Sequence, residues 1–318
     1  MAPAVLFALG TLFAQHGIYQ TAVNYLSQIA EKDADDAVCF NLGLAYSHLQ
    51  KFDDARKSYF LAIDKHPEHV DAYFRIGLDY GAVGEVRKAL PWLFRAHRWA
   101  SSRPDMSYAL IEQLIQLDYL DTAGETLAQA VPGDPLLAVA AADLQNARGD
   151  IEGARRAYQA VIAQYRDFSP ALLGLARLEM AQGNDPEAKS VLLSVLAKDP
   201  KDTRAQGELG QIEARRGNWD IALQHLRSAW KGDRSNPEIA IELSRAQLHL
   251  HQPTEALKTL TAAGPLLQQS PAFHLALAQV YVQLRQPVEA QAQRSIIARL
   301  QSEASEGLHF DSPKTYVQ

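Results

Sequence analysis

"NLGLAYSHLQKFDDARKSYFLAIDKHP", residues 41–67, sets Gly43 after Leu42, Ala55 after a short polar break, and Pro67 at the end of a second apolar run. The order returns along the chain. Small residues in phase with Ala55 stand at Ala22, Ala89, Ala123, Ala154, Ala188, Ala222, Ala256 and Ala290, at intervals of 33, 34, 34, 31, 34, 34, 34 and 34 residues. Self-similarity at this length marks stacked supersecondary units, each touching only its neighbours. The short step between Ala123 and Ala154 reads as a loop adjustment.

Each unit opens on apolar residues at helical spacing, as in Phe40, Leu42, Gly43 and Tyr46, or Phe74, Ile76, Gly77 and Tyr80. Five residues before the phased alanine a glycine often falls (Gly17, Gly84, Gly149, Gly183, Gly217), where a reversal between antiparallel helices needs a permissive backbone. A second helix follows, with its apolar stripe four residues after the alanine (Leu26, Tyr59, Leu93, Leu127, Tyr158, Leu192, Leu226, Leu260) and again seven after it. Prolines at 67, 104, 135, 170, 200, 237 and 271 close or open units.

This pattern resembles the tetratricopeptide repeat, whose Leu-Gly, Tyr, Ala, aromatic and Pro signature is met in order by Leu42, Gly43, Tyr46, Ala55, Tyr59 and Pro67. "GNWDIALQHLRSAW" (217–230) is another close match, and the resemblance weakens in unit five, where Ala141 and Ala142 replace Leu-Gly. It implies an all-α, right-handed superhelical solenoid of about nine antiparallel helix pairs in one domain over residues 1–304. The units expected are 3–35, 36–69, 70–103, 104–134, 135–168, 169–202, 203–236, 237–270 and 271–304, followed by a loose tail at 305–318. Arg294 stands where earlier units carry Leu or Tyr, as suits a terminal helix facing water.

The residues show no catalytic constellation, so a non-enzymatic protein with no cofactor is expected. "HPEH" (His66, Glu68, His69) falls at an inter-repeat turn, and His249 and His251 are spaced to point apart on a helix, so no metal site is expected. One cysteine, Cys39, excludes an intrachain disulfide and reads as a small buried thiol. The opening "MAPAVLFALGTLFAQHG" lacks the basic n-region of a signal peptide and keeps repeat phase, and no apolar run is long enough to span a membrane. Its abrupt beginning also suggests a chain cut from a longer one, and the compartment stays undetermined.

The resemblance places the first helix of each unit on the concave face, with the informative positions three before and one after the Leu-Gly glycine. The first set reads Phe7, Phe40, Phe74 and Tyr108 before the aromatics stop, and the second includes Leu44, Leu78, Glu112 and Asp143. Other residues already fill the packing positions of these helices, so the four rings read as surplus, fit to anchor a peptide, with Asn41 and Arg75 placed to bond its backbone. A lysine–asparagine clamp for a C-terminal carboxylate, found in some family members, is missing, because Thr11, Leu44 and Leu78 occupy the asparagine position.

The net charge of −6 arises in units four and five, where residues 104–168 hold 4 basic and 10 acidic side chains. Glu112 and Asp143 there are expected to attract a basic segment of a protein partner, and nucleic acid is disfavoured. Two rival expectations stand beside this one. In the first, the apolar start (Val5, Leu6, Phe7, Leu9) pairs chains end to end as a homo-oligomer. In the second, the array is an accessory region of a larger enzyme or envelope-assembly protein.

Overall fold

A computed structural model describes residues 2–29, 34–234, 236–268 and 270–306. The expected tail at 305–318 lies outside the described residues beyond Glu306, where the last helix ends. Among the described residues there are eighteen α-helices and no strand. They fall into two compact units, which divide after Pro132.

The first unit contains α1 (Pro3–Gln15), α2 (Tyr19–Leu26), α3 (Asp36–His48), α4 (Phe52–Lys65), α5 (Val70–Ala82), α6 (Val86–Trp99), α7 (Pro104–Gln116) and α8 (Leu120–Gln129). The second contains α9 (Pro135–Ala147), α10 (Ile151–Gln164), α11 (Ser169–Ala181), α12 (Asp185–Lys198), α13 (Thr203–Arg215), α14 (Trp219–Gly232), α15 (Pro237–His249), α16 (Pro253–Leu267), α17 (Pro271–Gln283) and α18 (Pro287–Glu306). Each odd-numbered helix packs on the even-numbered helix that follows, and within a unit each even-numbered helix packs on the next odd one. In the second unit neighbouring odd-numbered helices also touch, so the first helices of the pairs run side by side along one face.

The phased alanines explain the pairing. All nine sit on even-numbered helices at 2% exposure or less, where a side chain no larger than a methyl group lets two backbones close on each other. The complementary contact comes from the Leu-Gly glycine. A Cβ on Gly43 would stand 2.5 Å from Cε1 of Tyr59, and one on Gly210 would stand 2.5 Å from Cγ of Leu226, so the large residue four after each alanine fills the space the glycine leaves.

The turn inside each pair is left-handed at the same register in all nine. Glycine supplies it at Gly17, Gly84, Gly149, Gly183 and Gly217, and Gln50, Asp118, His251 and Arg285 adopt φ of 56–63° where the sequence offers no glycine. A side chain in this region clashes with its own backbone, at a cost of about 1 kcal/mol. Gln50→Gly is therefore expected to raise stability by about 0.5–1 kcal/mol, seen as a higher urea midpoint; an unchanged or lowered midpoint would contradict it. Prolines 104, 135, 237 and 271 each form the first residue of a helix, and Asp35, Asp134, Asp150, Asp202, Asn236 and Ser270 cap helix starts through their side chains.

Candidate functional site

The expected partner-binding residues lie on odd-numbered helices, and their surroundings divide them. Phe7, half-buried on α1, packs against the cluster of Leu6, Ile29 and Val38. Phe40 and Leu44 on α3, also half-buried, pack against Ala55, Tyr59, Ala72 and Ile76, with the Phe40 ring 5.7 Å from Tyr59 and 4.6 Å from His69. Phe74 on α5 is only 7% exposed, with the Arg103 guanidinium 5.9 Å from its ring centroid. Phe7, Phe40 and Phe74 thus take part in packing rather than standing surplus to it, and Phe7 and Phe40 keep part of their surface in solvent. Phe40, three before the glycine, packs against residues of its own second helix and of the next first helix, in the seam between successive pairs.

Tyr108 on α7 and Leu78 on α5 are half-buried, while Arg75 and Glu112 are exposed. Asn41 does not offer its amide freely: Nδ2 donates to the carbonyl oxygen of Ala37 at 2.8 Å. Asp143, on α9 of the second unit, accepts from the hydroxyl of Tyr158. Burial pushes its carboxyl above the usual carboxylate range, against the pull of that hydrogen bond and of Arg177. It is a partly buried bonded acceptor, which corrects its reading as an open attractor for basic groups; an outward-facing position would have left it to solvent.

The histidines of the turns have structural partners. His66 Nδ1 lies 3.0 Å from Asp36 Oδ2, and His69 Nδ1 accepts from the Ala72 amide at the start of α5. Cys39 is buried.

Three arrangements escaped the sequence reading. In the first unit, Ser47 Oγ lies 2.9 Å from both carboxylate oxygens of Asp79 and 3.0 Å from the Tyr59 hydroxyl. Asp79 is 4% exposed, and burial pushes its carboxyl up to about 7 despite Ser47, Arg56 and Arg75.

The second arrangement ties one pair to the next. The residue after the phased alanine reaches the position held by the signature tyrosine in the following unit. Arg56 stacks over Tyr80 at 4.4 Å, Arg155 Nε donates to Glu179 Oε1 at 2.7 Å, and Lys189 Nζ donates to Glu213 Oε1 at 2.6 Å. Asn184 and Asn218 donate to the other oxygen of each glutamate at 2.7 Å, so both carboxylates are held below their ordinary pKa, first by the cation that bonds them. A cation–aromatic contact in one unit and ion pairs in the other thus occupy the same register.

The third is a cleft of about 520 Å³ in the second unit, between α15 and α17. Leu275 and Val282, two turns apart on α17, are each 52% exposed along it. Arg245 enters from α15 and Arg294 from α18, and His249 and His251 also line it. Arg245 is paired with Glu242 at 3.0 Å, and the His249 ring stacks on Trp219 at 3.7 Å. Arg294 makes no ion pair among the described residues.

Helix pairs, a small-residue seam and a left-handed turn at one register define an α-helical repeat protein. The comparisons give the family. The tetratricopeptide repeat profiles match residues 38–71, 145–212 and 214–280, more than half of the sequence, and the chain belongs to the tetratricopeptide repeat family. The crystal structure of a tetratricopeptide repeat protein from Parabacteroides merdae superposes with a TM-score of 0.64 at 18% identity, over 77% of this chain and 98% of that one, which speaks to fold. A stretch of 101 residues is 36% identical to the cellulose synthase 1 operon protein C of Komagataeibacter xylinus, and this match covers 30% of the chain but 8% of that protein's length. Among the described residues no helix is long and apolar enough to cross a membrane, and no group of three metal-ligating side chains occurs.

Proposed function

We propose that the chain is a non-enzymatic interaction scaffold that holds a peptide segment of a partner protein along the first helices of its pairs. One contrast carries this reading: the buried alanine register is invariant over nine pairs, whereas the position after the Leu-Gly glycine changes from Leu44 and Leu78 to Glu112, Arg177 and Arg245. Residues that build a repeat recur, and residues that read a ligand differ. In the first unit the half-buried Phe7, Phe40 and Tyr108 supply apolar contact, Arg75 a donor, and Glu112 attraction for a basic segment.

A photo-crosslinking side chain placed at Leu44 or Leu78 in the source cells is expected to trap the same partner from both positions, and one at exposed Glu187 on α12 to trap none. Equal trapping at all three, or none at 44 and 78, would overturn this reading. Exposure of Val5 (47%) and Leu12 (48%) on α1 favours a second reading, self-association through that helix. Light scattering across a concentration series, repeated with Leu12→Ser, decides it. The other alternative, an accessory region of a larger enzyme or envelope-assembly protein, has only a distant likeness behind it, the 101 residues aligned to 8% of a longer protein.

A further inference from the structure

We infer that the cleft between α15 and α17 is a docking site for an acidic, apolar peptide segment of a protein partner. The inference rests on the scaffold reading but on a different unit and different residues. Leu275 and Val282 lie seven residues apart on α17 and so share a face, and each leaves about half its surface in water. Solvated apolar side chains gathered in a concave place, beside cations, are what an interface core and its charged rim require.

The charge of the cleft decides what completes it. Among the described residues two guanidinium groups line it, and no carboxylate does. Glu242 neutralises Arg245 from the same helix at 3.0 Å, which leaves the Arg294 fork free among the described residues to take a carboxylate in two-point fashion. Gln279 and Gln283 on the lining offer amide donors and acceptors for an extended backbone. Arg294 also replaces the Leu or Tyr found four after the phased alanine in the other units. In this pair an exposed charge therefore stands where the other units carry an apolar or tyrosine side chain, and it lines the cleft. Two arginines flanked by leucine and valine fit an amphipathic acidic peptide better than a polyanion, since a nucleic-acid groove tracks phosphates with a run of cations.

The test uses the whole chain and a short fluorescein-labelled peptide of leucine, glutamate and serine, read by fluorescence anisotropy. Binding is expected to weaken roughly tenfold or more with Arg294→Glu and with Leu275→Ser, and to weaken as salt rises. Both side chains are solvent-facing, and circular dichroism confirms that each variant keeps its helices. Replacing the glutamates of the peptide by lysine should abolish binding. Equal binding of the lysine peptide, indifference to both substitutions, or no binding would overturn the proposal. So would Arg294-dependent capture of phosphatidylglycerol vesicles by a chain that ignores the peptide, an outcome that assigns the cleft to lipid. Failure here with successful crosslinking at Leu44 and Leu78 removes the cleft and leaves the scaffold; failure of both removes the scaffold.

Discussion

Lys189→Met is expected to destabilise the second unit by about 2–4 kcal/mol at neutral pH, because it strands a carboxylate that water cannot reach. The Glu213 side chain is 2% exposed and its Oε1 accepts from Lys189 at 2.6 Å, so only the Asn218 amide remains after the substitution. The lysine is itself 37% exposed, which places the loss toward the lower part of that range. The pair holds the Glu213 carboxyl below its ordinary pKa, so its stabilisation is present above the unfolded-state value and fades as the pH falls through the folded one. The chain itself shows the neutral alternative, since Gln247 occupies this register one unit later and accepts from Thr259 Oγ1 at 3.0 Å. Glu213→Gln should therefore rescue Lys189→Met and recover at least half of the loss. A double-mutant cycle in urea, read by circular dichroism and by amide exchange in α12 and α13, measures the coupling. A loss below about 0.5 kcal/mol for Lys189→Met would show that the ion pair is a surface ornament.

That tie also shows where sequence reading stopped. The phased alanines, the glycine at Gly43 and the prolines at helix starts are local signals, and they were enough for the pairs, because each acts through backbone geometry or a single close contact. The left-handed turns at Gln50, Asp118, His251 and Arg285 had no such signal: only the phase of their neighbours places them. Arg155–Glu179 and Lys189–Glu213 were legible in principle as a recurring 24-residue spacing between opposite charges, but a spacing becomes a contact only once the stacking of pairs is known. Phe74 failed for the same reason, since the depth of the seam between pairs is a tertiary quantity that no helical wheel contains. The cleft left one trace in the sequence, the exchange of an apolar residue for Arg294, but its concavity required neighbouring helices to be in place.

Asp79→Asn is expected to make the first unit more stable at pH 8 and to flatten its pH dependence. Burial, the dominant cause, raises the folded-state carboxyl to about 7, above the ordinary 3.8, while Ser47, Arg56 and Arg75 pull the other way. The sign follows from proton binding. Between the two values the native chain holds a proton that the unfolded chain has released, so stability falls as pH rises and is lowest once the buried group ionises. A shift of this size corresponds to about 2–3 kcal/mol lost between pH 5 and pH 8. Asparagine keeps the shape without the charge, and its amide has the Ser47 hydroxyl within reach of the atoms it replaces, 2.9 Å away in the native chain. Tyr59 belongs to the same group: burial and the neighbouring Asp79 charge push its phenol well above the usual range, so it stays a neutral partner for Ser47 throughout. Glu208 in the second unit, whose carboxyl burial also raises to about 7, contributes a background slope to native and variant chains alike. The informative quantity is therefore the difference between the two stability curves, measured by urea unfolding from pH 5 to pH 8. Divergence above about pH 6, with the asparagine chain on top, matches a buried ionising carboxylate, and parallel curves would mean that Asp79 is already charged and solvated in the folded chain.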